Sequence, residues 1–144
     1  MDYSTAVRNE IQNVRHELRF LETLIAKQTS QHLDEIEIRA AALSLSTIYN
    51  GIEKTLLYVL RDRAQKLPQG KNWHAELLDL AAEKSVVSAD LREELKSFLA
   101  FRHFIRHAYS FEINPAMIAS ILDRAPDVAE RFSDAIVHIY SDKP

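Results

Sequence analysis

The sequence predicts an all-α bundle of about five to six helices in a single domain spanning residues 1–144, and three observations lead there. Apolar residues recur at steps of three and four along most of the chain. No stretch alternates apolar and polar side chains as a half-buried strand does. Only two glycines and four prolines interrupt 144 residues, 47% of them hydrophobic, a length and composition that suit one compact core.

The first helix is expected from about Thr5 to Lys27, because Val7, Ile11, Val14, Leu18, Leu21 and Ile25 fall on one stripe. After Thr29 to His32 a second stripe runs through Ile36, Leu43, Leu45, Ile48, Ile52, Leu56, Val59 and Leu60, giving a long helix to about Ala64. These two long helices should pair antiparallel, with the second more buried because Ala40, Ala41 and Ala42 and further apolar residues occupy more than one of its faces. Pro68 and Gly70 mark a break, and Asn72 is placed to cap a third helix through Trp73, Leu77, Leu78, Leu80 and Ala81 to about Lys84. Asp90 with Glu93 three residues later has the spacing of a capping box opening a fourth helix through Leu91, Leu95, Phe98, Leu99 and Ile105. Asn114 followed by Pro115 signals a fifth, short helix carrying Met117, Ile118, Ile121 and Leu122. Pro126 is expected to restart the chain into a sixth through Val128, Phe132, Ile136 and Ile139, ending near Tyr140.

Charge and composition narrow the function classes. Eighteen basic against 21 acidic residues give a net charge of −3, so an anion site must be local rather than a property of the whole surface. The absence of cysteine removes disulfides, thiolate nucleophiles and cysteine-ligated metals together, and fits a reducing compartment. Residues 1–20 carry Asp2, Arg8, Glu10, Arg15, Glu17 and Arg19 with no apolar core for a signal peptide. No run approaches the roughly 20 apolar residues of a membrane span. The expectation is a soluble, cytoplasmic protein.

The densest polar cluster is Phe101-Arg102-His103-Phe104-Ile105-Arg106-His107-Ala108-Tyr109. Histidine can exchange protons near neutral pH, and arginine presents a planar fork matched to phosphate oxygens, a combination suited to phosphodiester cleavage. The alternative is a basic helix end favoured by the helix dipole. His103 and His107 stand at i and i+4 as two zinc ligands could, but Phe104 occupies the place of the glutamate in the helical zinc protease motif and flanking arginines oppose a dication, so no metal site is expected. At about 100° per residue, Arg102 and Tyr109 share a helical face and His107 lies about 140° from Arg102. Either the helix distorts between Arg106 and Ser110, or a second subunit completes the site across a twofold axis.

Arg102, four intervening residues, His107, one residue and Tyr109 resemble the Arg-x4-His-x-Tyr motif of HEPN-type ribonucleases, and the whole chain resembles HepT-like toxins encoded beside a minimal nucleotidyltransferase antitoxin of the MntA-like type. Supporting matches are Trp73-His74 with Leu77-Leu78, the Phe101-Arg102-His103 run, and Asn50-Gly51 with Glu53. The resemblance implies a HEPN-like bundle, a homodimer that can enter a larger assembly with the antitoxin, and metal-independent cleavage of RNA by Arg102 and His107 without a cofactor. It further implies that Tyr109 is the residue the partner adenylylates. His103 and Arg106 are candidates for holding adjacent phosphates. The rival expectations are a noncatalytic module that binds a nucleotide or the nucleotidyltransferase, and a purely structural helical oligomer.

Among the remaining residues, Gly51 inside the second helix points to close approach by another helix or simply to a tolerant site. Trp73 is either a core anchor or a base-stacking platform. Tyr49 and Tyr58 are read as packing residues, and His16, His32 and His138 as solvated or structural.

Overall fold

The computed structural model describes residues 1–109 and 112–141. They form five helices in the order α1 (Tyr3–Ser30), α2 (Glu35–Asp62), α3 (Trp73–Glu83), α4 (Ala89–His107) and α5 (Pro115–Ser141), with no strand among the described residues.

Helices α1 and α2 are antiparallel, as contacts along their length require: Tyr3 faces Tyr58, Glu10 pairs with Lys54, and Lys27 with Glu37. The predicted stripe of α1 is buried from Val7 to Leu21, with Leu24 rather than Ile25 completing it. On α2, Ile38, Leu45, Ile48, Ile52, Leu56, Val59 and Leu60 are buried together with Ala41 and Ala42. Ile36 and Leu43, expected in the core, are instead 78% and 68% exposed. Gly51 marks a close approach of the pair: a Cβ there would stand 2.7 Å from Val14 Cγ2, so the close-approach reading holds.

The ends of the helices follow local chemistry. Asp2 caps α1 by accepting from the Thr5 amide, and α2 opens with a capping box in which Asp34 and Glu37 each accept the other's backbone amide. The expected box at Asp90 and Glu93 is not the start of α4: Ser88 caps it, its Oγ accepting from the Leu91 amide at 3.1 Å, and the helix begins one residue before Asp90. Asn72 occupies the cap position of α3 without a side-chain cap bond. Both α2 and α3 end on a left-handed residue, Ala64 and Ser85, followed by amides that reach back to Leu60 and Ala81 carbonyls. Gly70, at φ +124°, supplies a conformation that other residues rarely adopt in the connection between α2 and α3.

Asn114 caps α5, accepting from the Met117 amide at 2.8 Å, with Pro115 at the first helical position as expected. The expected restart at Pro126 does not occur, and the fifth and sixth predicted helices are one. The buried stripe Ile118, Ile121, Leu122, Ala125, Val128, Ala129, Phe132, Ser133 and Ile136 runs without a phase break past the proline, and packing against α1, α2 and α4 outweighs the one backbone bond that Pro126 cannot donate. Helix α3 lies against α4, tied by Asp79 to Lys96, and Arg124 of α5 reaches Glu94 and Ser97 of α4. Among the described residues, no helix is long and apolar enough to cross a membrane.

Candidate functional site

The Arg-x4-His-x-Tyr residues occupy the C-terminal end of α4. Helix geometry ends at His107, because Ala108 turns extended at φ −92° and ψ 147°. Tyr109 therefore does not continue the Arg102 face of an unbroken helix, but Arg102 and His107 both lie within α4 and stay on different sides of it, one buried and one exposed; Ser110 lies outside the described residues. His103, Arg106, His107 and Tyr109 are all exposed, Tyr109 at 72%. The His103 and His107 rings lie 4.5 Å apart between centroids, and the Tyr109 amide donates to Glu112 Oε1 at 2.9 Å. Arg106 and His107 fill the last turn, where the carbonyl end of the helix dipole favours positive charge.

Arg102 is placed otherwise. It is 6% exposed, with its guanidinium between α2 and α3. Nη1 donates to Asn50 Oδ1 at 2.6 Å and to Glu53 Oε1 at 3.4 Å; Nη2 stands 3.1 Å from His74 Nδ1, which is itself 2.7 Å from Glu53 Oε2. Arg102 Cζ lies 4.9 Å from the centre of the Tyr49 ring, a cation–π distance. Burial holds the Tyr49 phenol well above its ordinary pKa, the nearby Glu53 charge adding to this and Arg102 opposing it. Arg102 Nε is buried with no acceptor among the described residues.

This cluster was not legible as a unit. Asn50, Glu53 and His74 enter the sequence reading only as family matches, and nothing local joins residues so far apart in the chain. One signal was present: Glu53 falls among Ile52, Leu56 and Val59 on the buried side of α2, and a carboxylate in a core position demands a cation. Tyr49 is buried as a packing residue should be. Trp73 is partly buried against the core, its ring 3.6 Å from that of His74, which favours the anchor over the stacking platform and fixes the histidine at the start of α3. Tyr58 is likewise packed against the core and beside Tyr3. Among the described residues, no three histidine or acidic side chains gather where they could hold a metal ion.

Between α2 and the end of α4 lies an open groove of about 410 Å³ whose lining includes Arg39, Leu43, Ile105, Arg106 and Ala108. The exposed Leu43 thus borders the arginine of the motif's last turn.

Comparison with known proteins adds the family. The HepT-like protein family matches residues 40–142, a span holding Asn50, Glu53, His74, Arg102, His107 and Tyr109. Among solved structures, a mutant of the toxin-antitoxin MntA-HpeT is similar at a TM-score of 0.79 and 17% identity, covering 92% of this chain and 97% of that chain. A toxin-antitoxin structure with AMP-PNP is similar at 0.78 and 17%, with 92% and 97% covered. The cytosolic protein of unknown function YutE from Bacillus subtilis is similar at 0.63 and 16%, with 89% and 88% covered. At these identities the likeness is one of fold. No curated protein matches the chain. With more than two thirds of its length matched, and with the helical architecture the fold comparisons repeat, the chain belongs to the HepT-like protein family.

Proposed function

We propose that this chain is the toxin of a toxin-antitoxin pair, an endoribonuclease of the HEPN type acting in the cytoplasm and neutralised by a minimal nucleotidyltransferase that adenylylates Tyr109. The observation that carries this reading is the end of α4, where one break at Ala108 leaves His107 and Tyr109 together at the surface, backed five residues earlier by an arginine held in a polar cluster. Family membership and the fold shared with toxin-antitoxin structures, one of them with an ATP analogue, support it.

In this mechanism the RNA 2′-hydroxyl attacks the adjacent phosphorus, and the bond to the 5′-oxygen of the next nucleotide breaks. His107 acts as general base or acid, taking the proton of the 2′-hydroxyl or giving one to the leaving 5′-oxygen, and water carries the other transfer. The products are a 2′,3′-cyclic phosphate and a 5′-hydroxyl end. Because the substrate supplies the nucleophile, the protein contributes positioning, proton transfer and positive charge, and neither a metal nor a cofactor is called for. Arg102 stabilises the charge developing on the phosphoryl oxygens, and His103 and Arg106 hold neighbouring phosphates. A symmetric dimer through α4 and α2 would bring two such sets to one cleft, with the exposed Leu43 and the groove beside Ile105 and Arg106 as its apolar seat.

One observation favours the second reading, a noncatalytic module: the motif arginine is paired inward with Glu53 rather than presented to solvent. Cleavage of labelled RNA in excess EDTA, with end-group analysis, decides between them. Cyclic phosphate ends are expected. Intact RNA at protein concentrations where the dimer forms would leave the binding module as the reading.

A further inference from the structure

Three contacts hold the Arg102 guanidinium, and they are not equivalent. Asn50 is exposed, Glu53 is 7% exposed, and His74 is intermediate, so solvent lies on the side of Asn50 and His74. His74 Nδ1 sits within hydrogen-bond distance of two groups that make opposite demands on it. Glu53 Oε2, at 2.7 Å, can only accept; Arg102 Nη2, at 3.1 Å, can only donate. In a neutral ring Nδ1 carries either a proton or a lone pair, and so serves one of them.

The geometry chooses. A distance of 2.7 Å from nitrogen to a carboxylate oxygen is that of a charge-assisted bond, the stronger of the two contacts. With the Nδ1 proton committed to Glu53, Arg102 Nη2 faces a donor and has no acceptor there. Nε already has none. Of these two nitrogens Nε is closed off from solvent, so Nη2, beside the half-buried His74, is the one a phosphate oxygen can reach. Nη1, on the other side, remains anchored by Asn50 and Glu53.

We propose that His74 is a positioning residue for Arg102: by occupying one oxygen of Glu53 it confines that carboxylate to Nη1 and keeps Nη2 for an RNA phosphate. Without the ring, Glu53 Oε2 loses its donor and turns to the guanidinium, taking the Nη2 position that the phosphate would use. The inference rests on the ribonuclease reading for its substrate, but the proton on His74 is a property of the folded chain alone.

Two measurements test it on the intact protein. The first is the nitrogen NMR of the His74 ring in the unmodified chain: a protonated Nδ1 is expected, and a ring protonated at Nε2 alone would overturn the proposal. The second is RNA cleavage by His74→Ala and His74→Asn, each first shown to unfold cooperatively. His74→Ala should lower kcat on the order of 10- to 100-fold with a smaller change in KM, since the lost contact matters most when charge develops on the phosphate. His74→Asn, whose amide can still donate to Glu53, should recover part of that loss. Parent-like kcat in His74→Ala, or no difference between the two variants, would overturn it. A parent chain that cleaves no RNA would instead sink the ribonuclease reading, and the ring tautomer would then decide this proposal by itself.

Discussion

Replacing Arg102 by alanine removes one partner of a buried ion pair, and the structure sets the size of the effect. Arg102 and Glu53 are 6% and 7% exposed, and Glu53 has two cationic or donor neighbours, Arg102 and His74. Removing one side of such a pair costs about 3–5 kcal/mol, because the remaining charge stays buried. Glu53 would keep His74, which places Arg102→Ala near the lower end, about 3 kcal/mol. For a domain of this length that corresponds to a midpoint lower by roughly 6–12 °C. Urea unfolding followed by far-ultraviolet circular dichroism measures it directly, and the paired change of Arg102→Met with Glu53→Leu should recover most of the loss, since it removes both charges from the core. A loss below about 1 kcal/mol for Arg102→Ala would refute the reasoning, for it would mean that Glu53 is solvated. The consequence for enzymology is practical: activity of this variant is interpretable only at temperatures where it is folded, whereas His107→Ala, on an exposed helix end, should stay within about 0.5 kcal/mol of the parent.

Three other outcomes follow from the same geometry. Gly51→Ala gains about 1 kcal/mol of helix propensity but drives a methyl group to 2.7 Å from the stiff, buried Val14, so a net loss is expected that Val14→Ala in the same chain partly relieves; additive unfolding energies would contradict the contact. Burial and, for Tyr140, its bond to Asp62 raise two phenol pKa values, so folding holds these protons more tightly than the unfolded chain and stability should fall as pH rises past about 10, with Tyr49 and Tyr140 failing to ionise in a spectrophotometric titration up to pH 11 while the chain stays folded. Tyr109→Phe should cleave RNA nearly as the parent does, yet show no adenylate addition by intact mass after co-expression with the nucleotidyltransferase. Equal neutralisation of both forms without a mass change would mean that the partner acts by binding alone.

What could be read from the sequence was whatever short-range periodicity decides. The stripe of α1 from Val7 to Leu21 and the Asn114–Pro115 start of α5 are local patterns, and they fold as written. Pro126 misled because a proline's local penalty is modest beside a stripe of nine buried residues that continues across it. Asp90 and Glu93 had the right spacing but the wrong place, since Ser88 offers its hydroxyl two residues sooner. Leu43 and Ile36 share the composition of core residues and lie outside the core, which no single-helix pattern distinguishes. At the site, the motif marked the residues along the chain but not that Arg102 would turn inward while His107 and Tyr109 face solvent. Its direction is set by Glu53 and His74, 49 and 28 residues away, and becomes visible only when three helices meet.

The most direct test of the central claim is single-turnover cleavage of one defined RNA by the parent and by His107→Ala, with the two proteins matched in circular dichroism and unfolding midpoint. Loss of the general acid–base group should slow the chemical step by about 10²- to 10⁴-fold while RNA binding is retained. Equal cleavage rates would contradict the assignment of catalysis to the end of α4.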